Sequence, residues 1–173
     1  MSVKVRRHSA QSTLRLSQGF TLVELMIAVA IVAVLASVAY PAFQDSIRKG
    51  RRAEAFTALS ALQQAQERWR SNNATYTTTL ANTAASNAAP NGLNIPATSS
   101  SGLYTIGVTV DSGTASTTYI ATATANSGSS QANDGNCKVL GVQMAGGTLR
   151  YGSGATAITW SAANPDAGKC WAR

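Results

Sequence analysis

Residues 20–39 read FTLVELMIAVAIVAVLASVA, an apolar run with one ionisable side chain, Glu24. A run of about 20 residues makes roughly 30 Å of helix, the thickness of a hydrocarbon core. Lys4, Arg6, Arg7 and Arg15 precede it without an acid. The N-terminus is therefore expected to stay cytoplasmic, and the chain beyond the run to be exported. Arg48, Lys49, Arg51 and Arg52, just past the run, oppose that rule. The first helix is expected to obey its own flank. A secretory signal would have a shorter apolar core with an A-x-A-like site after it. Here Tyr40-Pro41 comes next, and the helical pattern continues.

An acid at membrane depth costs on the order of 2.5–3.5 kcal/mol, less near the interface. Glu24 has two readings. It can lie near the headgroups, snorkelling or protonated. It can also pair with a positive group at the same depth, and a free α-amine at Phe20 of a neighbouring copy, released by cutting after Gly19, would be such a group.

The 173 residues suffice for one domain and a membrane segment. Charged residues are 12%, about half the usual share, as expected of a chain that rests in a polar, uncharged environment or packs against copies of itself. Removing the four leader bases from the net +7 leaves +3, and from residue 53 onward the charge nearly cancels, so the basic pI reports two local clusters and says little about nucleic acid. Cys137 and Cys170 form an even pair beyond a membrane segment, which suggests a disulfide made in an oxidising compartment; the other reading is two buried thiols. The one histidine, His8, lies in the leader. Paired carboxylates, a nucleophile–base set, a phosphate loop and metal-ligand spacing do not emerge, so neither enzyme chemistry nor a cofactor or metal is expected.

Gln18-Gly19-Phe20-Thr21-Leu22-Val23-Glu24-Leu25-Met26, behind a basic leader and ahead of an apolar helix, resembles the processing signature of type IV prepilins. The likeness covers residues 15–43 most specifically, and Arg51-Arg52-Ala53-Glu54-Ala55 looks like minor pilins of the type IV pilus. The resemblance implies a leader peptidase that cuts after Gly19 and methylates the amine of Phe20, with Glu24 as the assembly glutamate. It implies three regions: a cleaved leader at 1–19, a membrane and filament-core helix at 20–40, and at 41–173 the amphipathic helix half with a globular head. The expected partners are other pilin subunits, the prepilin peptidase, the inner-membrane assembly machinery and, before assembly, the lipid bilayer. The precursor is expected in a bacterial inner membrane with its head in the periplasm, and the mature chain in an extracellular pilus serving adhesion, motility or DNA uptake.

Two alternatives stay open. One is a pseudopilin of a type II secretion system, whose major form commonly holds calcium through acids in the C-terminal loop; Asp134 and Asp166 are the acids present there. The other is a DNA receptor for natural transformation. Lys169, Trp171 and Arg173, with Trp160 nearby, offer cations and rings for phosphates and bases. The plainer reading packs both tryptophans under the loop.

The expected fold is α+β: a long helix, membrane half plus amphipathic half, on a small antiparallel sheet of about four strands with a disulfide-bounded C-terminal loop. Pro41 should kink the helix. Beyond Gly50, Ala53, Phe56, Leu59, Leu62, Ala65 and Trp69 mark its buried face, and Asn72-Asn73 its end. Residues 71–102 read as loop, anchored by Tyr76, Leu80, Leu93 and Ile95. Strands are expected at 103–110, 117–125, 138–144 and 149–151, with a hairpin turn at Gly146-Gly147. The basic cluster at 48–52 reads as solvated or lipid-facing, with Arg51–Glu54 and Asp45–Lys49 pairs along the helix.

Overall fold

The computed structural model describes residues 19–81, 91–161, 163, 165, 166 and 168–171. Residues 1–18 of the expected leader, 82–90 of the expected loop, and Arg173 lie outside the described residues. Helix α1 runs Leu22–Arg70 and carries Pro41 inside it. The chain divides into two compact units at Tyr40/Pro41.

In the first unit the helix starts on a cap written in the sequence. Thr21 Oγ1 accepts the Glu24 amide at 3.2 Å, so Thr21-x-x-Glu24 has the spacing of a capping box. Glu24 also sits in the first turn, where the helix dipole favours an anion. From Leu22 to Val38 the large apolar side chains are exposed. By length and composition α1 is apolar enough to cross a membrane.

In the second unit α1 buries Ala55, Leu59, Leu62, Ala65 and Gln66, one face at three- and four-residue spacing. The expected stripe is rotated slightly: Ala53 is exposed, Ala55 takes its place, and Phe56 and Trp69 are half-buried at the edges. Each large apolar side chain so buried contributes roughly 1.5–3 kcal/mol. Gln66 is buried because it acts as a short piece of backbone: its Nε2 donates to Thr77 O at 2.6 Å and its Oε1 accepts Thr77 N at 3.3 Å. Beyond Arg70, Asn73 Nδ2 donates to Trp69 O at 2.8 Å and closes the helix end.

Four strands come after the loop, β1 (Tyr104–Thr109), β2 (Thr118–Ala125), β3 (Val139–Ala145) and β4 (Thr148–Gly154), in the antiparallel order β1-β2-β3-β4. β4 is longer than expected, since Gly152-Ser153-Gly154 continue the ladder despite their weak strand propensity. β3 and β4 meet across Gly146-Gly147, both at positive φ (54° and 83°), the two-residue turn whose twist matches a hairpin. Tyr104, Ile106, Tyr119, Ala121, Ala123, Leu140 and Val142 form the core with the helix, and Tyr76, Leu80, Leu93 and Ile95 pin the connecting loop to it.

On the other face, Gly107, Thr122, Gly141 and Gly152 line up across all four strands. A Cβ on Gly141 would fall 2.6 Å from Ile158 Cδ1, and one on Gly152 2.5 Å from Ile158 Cγ2. The two glycines thus cradle Ile158 and the Trp160 ring, which lay the segment after β4 across the sheet. The Cys137–Cys170 disulfide closes that region over 33 residues of sequence. In the chain-entropy model such a loop contributes roughly 3–4 kcal/mol.

Candidate assembly and binding surfaces

Three surfaces were expected from the sequence: the exposed apolar helix with Glu24, the basic cluster past it, and the C-terminal patch. In the first, Phe20 is 86% exposed and is succeeded by the apolar series from Leu22 to Phe43, broken by Glu24. Gly19 and Phe20 lie immediately before the cap at Thr21, so the expected cut would leave the new amine within one turn of Glu24.

Of the basic cluster, expected to be solvated or lipid-facing, Lys49 and Arg51 are exposed, and Arg52 departs from the expectation. Arg52 turns inward and grips Asp134: Nε to Oδ2 at 2.8 Å, Nη2 to Oδ1 at 2.7 Å, with side chains 13% and 6% exposed. That bond raises the guanidinium pKa still further, against the desolvation that lowers it. Gln131, fully buried, donates Nε2 to the Tyr104 hydroxyl at 2.7 Å and to Asp134 Oδ2 at 3.3 Å. Arg51 donates to Ser130 Oγ instead of pairing with Glu54. Asp45 holds Arg48 at 2.7 Å instead of Lys49. Arg52 turns inward because the turns after β2 place the buried Asp134 within its reach, and a desolvated bidentate pair is stronger than an exposed one. Glu54 meanwhile accepts the Ser101 amide at 2.7 Å and holds the turn before β1.

The C-terminal patch is divided by the structure. Trp171 stacks on Phe56 with ring centroids 4.6 Å apart, meets Tyr151 at 4.7 Å, and donates Nε1 to Gly152 O at 2.8 Å. Trp160 is laid on the glycine cradle, and Arg150 Nη1 donates to its carbonyl at 2.7 Å. Lys169 is exposed, at φ 49°. Arg173 lies outside the described residues.

The two acids considered as calcium ligands are both engaged. Asp134 holds Arg52, and Asp166 accepts Ser153 Oγ at 2.5 Å, Cys170 N at 3.0 Å and Trp171 N at 3.4 Å. Among the described residues no group of three or more candidate metal ligands gathers.

Sequence comparison decides between the families this architecture allows. Residues 14–40 match the model of the prokaryotic N-terminal methylation motif. Residues 41–141, more than half of the chain, match the model described as type IV minor pilin ComP, DNA uptake sequence receptor. The chain belongs to the ComP family of type IV minor pilins. Relatives of this ComP-family chain include a fimbrial protein of Moraxella nonliquefaciens, 51% identical over 45 residues (26% of this chain, 29% of the relative). The type IV major pilin protein PilE1 of Neisseria gonorrhoeae is 55% identical over 40 residues (23% and 24%). A fimbrial protein of Pseudomonas aeruginosa is 43% identical over 54 residues (31% and 35%). The matched stretch spans about a quarter to a third of each relative's length. The leader with its methylation motif and the apolar helix fit an inner-membrane precursor and then an extracellular pilus.

Proposed function

We propose that this chain is cut after Gly19, methylated on Phe20, and assembled into a type IV pilus, where it acts as a receptor for DNA. The observation that carries the reading is the pair of family matches, the methylation motif over residues 14–40 and the minor-pilin head over 41–141. The second match also favours a pilus over a secretion pseudopilus. Family members are structural subunits, so assembly with other pilins is the first role.

In assembly, Glu24 pairs with the N-terminal amine of a neighbouring subunit. One unpaired charge left among apolar helices costs several kcal/mol, which would set the axial register. The prepilin peptidase and the inner-membrane assembly machinery act before that step, and the bilayer holds the helix until then. DNA would meet the exposed cations Lys49, Arg51, Arg68 and Lys169 as phosphate contacts. Trp171 is committed to Phe56, so stacking on bases would fall to its exposed neighbour Tyr151.

The test is to shear filaments from cells making this chain and determine its N-terminus by mass spectrometry, then measure salt-dependent DNA binding by the purified full-length protein. A methylated chain starting at Phe20, and affinity falling steeply with salt, are expected. An uncut chain confined to the membrane would overturn the filament reading. Salt-independent or absent binding would overturn the DNA role.

A further inference from the structure

Near the C-terminus the sequence reads Pro165-Asp166-Ala167-Gly168-Lys169-Cys170-Trp171, with proline, aspartate and glycine spaced as in a tight turn. The Lys169 amide donates to the Asp166 carbonyl at 3.0 Å, three residues back, and Lys169 has φ 49°. Gly168 is required where it stands: a Cβ there would fall 2.6 Å from Cys170 Sγ and 3.1 Å from both Asn136 O and Ser153 Oγ. The buried Asp166 side chain organises the turn from inside. Its Oδ1 accepts Ser153 Oγ at 2.5 Å and Cys170 N at 3.0 Å, and its Oδ2 accepts Trp171 N at 3.4 Å. A carboxylate taken out of water needs such donors in its place, and its bonds are roughly twice as strong as those between neutral groups.

Cys170 is thus pinned from both sides by contacts that involve no sulfur. Before it, Ser153 N donates to Pro165 O at 3.0 Å, beside the parallel bridge between Ser153 and Asp166. The end of β4 therefore grips the segment through backbone and side chain together. After it, the Trp171 ring stacks on Phe56 of α1 and its Nε1 donates to Gly152 O at 2.8 Å. The other cysteine is fixed by its own amide, which donates to the carbonyl of Asp134 at 2.8 Å, and Asp134 is held by Arg52. Both cysteines are buried. The loop between them is closed non-covalently at the point where the disulfide closes it again. Once one closure is made, the second joins ends that are already adjacent, so it costs little further loop entropy.

We propose that Asp166 is a positioning residue, a latch that docks the C-terminal turn onto β4 and α1 without help from the disulfide and delivers Cys170 to Cys137 before the bond is made. Closure removes two protons and two electrons from the pair. One cysteine thiolate attacks a small disulfide such as oxidised glutathione and releases one thiol, and the second cysteine then displaces the other. The latch acts on that second step, which needs the two sulfurs side by side. Opening the bond accordingly leaves the turn seated. The latch is independent of the filament and DNA readings.

The full chain in detergent micelles, with isotope-labelled tryptophan, tests it by nuclear magnetic resonance. The Trp171 indole N–H reports docking of the turn. The Trp69 indole N–H, which donates to Thr75 O at 3.0 Å, reports the fold of the head in the same spectrum. Both signals should keep their wild-type positions when Cys137→Ser and Cys170→Ser are combined, and when the wild-type bond is opened with a phosphine. Adding Asp166→Ala to the paired-serine chain should move the Trp171 signal to that of a free indole and leave Trp69 in place. With oxidised glutathione, reduced wild type should close its disulfide at least tenfold faster than reduced Asp166→Ala. Loss of the Trp171 signal from the paired-serine chain, with or without Trp69, would make the disulfide the holder and overturn the latch. An unmoved Trp171 signal in the triple variant, or equal closure rates, would assign docking to the ring stack and remove Asp166 from it. If the triple variant loses the Trp69 signal as well, Asp166 supports the whole head and not this turn, and the proposal fails.

Discussion

Arg52 and Asp134, 82 residues apart in sequence, face each other through two hydrogen bonds of 2.8 and 2.7 Å. This pair fastens the helix to the turns between β2 and β3, with Gln131 and the Tyr104 hydroxyl completing the shell around the carboxylate side.

Replacing Arg52 by Ala leaves Asp134 buried without its counter-charge. We expect a loss of about 3–5 kcal/mol. Replacing both residues by apolar ones of similar size, Arg52→Met with Asp134→Leu, should recover most of it, because neither charge then needs solvation. Denaturant unfolding of the full chain in detergent reads both. A single variant within 1 kcal/mol of wild type (roughly the value of an exposed pair) would contradict the buried pair.

Two buried tyrosines should respond oppositely to loss of the hydroxyl. The Tyr119 hydroxyl has no hydrogen-bond partner among the described residues, and burial pushes its pKa up. The Tyr104 hydroxyl accepts from Gln131, which moderates the upward push of burial there. Tyr119→Phe should therefore be neutral or stabilising by up to about 1 kcal/mol, and Tyr104→Phe should cost about 1–2 kcal/mol. The thermal midpoints of the two variants decide it, and the reverse order would place a bound water or another partner at Tyr119.

Glu54 gives the head a pH dependence. Desolvation raises its pKa, but hydrogen bonds from Ser99, Ser101 and Ser100 outweigh it, and the net pKa lies below the usual 4.5. A depressed carboxylate contributes its stability above the unfolded value and loses it as pH falls through the folded value. Between pH 6 and pH 3 the thermal midpoint of wild type should fall more than that of Glu54→Gln. Parallel profiles would remove Glu54 as the source.

Much of this fold could be read from pattern. Alternating Thr, Tyr, Ile and Ala at 118–125 marked β2, and Gly146-Gly147 marked a turn that needs two positive φ angles. The cysteine pair was readable because few other roles fit it. The features that escaped depend on distant partners. Ala53 and Ala55 are indistinguishable by periodicity until the sheet's position is known. Gln66 looks like a surface residue until Thr77 supplies a strand-like backbone beside it. Arg52 looks like one more base in a cluster until the β2–β3 turns deliver Asp134. The Thr21-x-x-Glu24 cap, by contrast, is local, and its spacing alone is enough to mark it.

The glycine cradle has a consequence for how this surface can vary. Ile158 and Trp160 face Gly141 and Gly152, while Thr156, Thr159 and Ser161 in the same segment are exposed. The segment is thus a two-sided ribbon, with one side cut to fit the sheet and the other open to revision. Substitutions at 156, 159 and 161 can rewrite what the ribbon displays without disturbing how it is mounted, so recognition and folding are free to evolve at separate rates within six residues of each other.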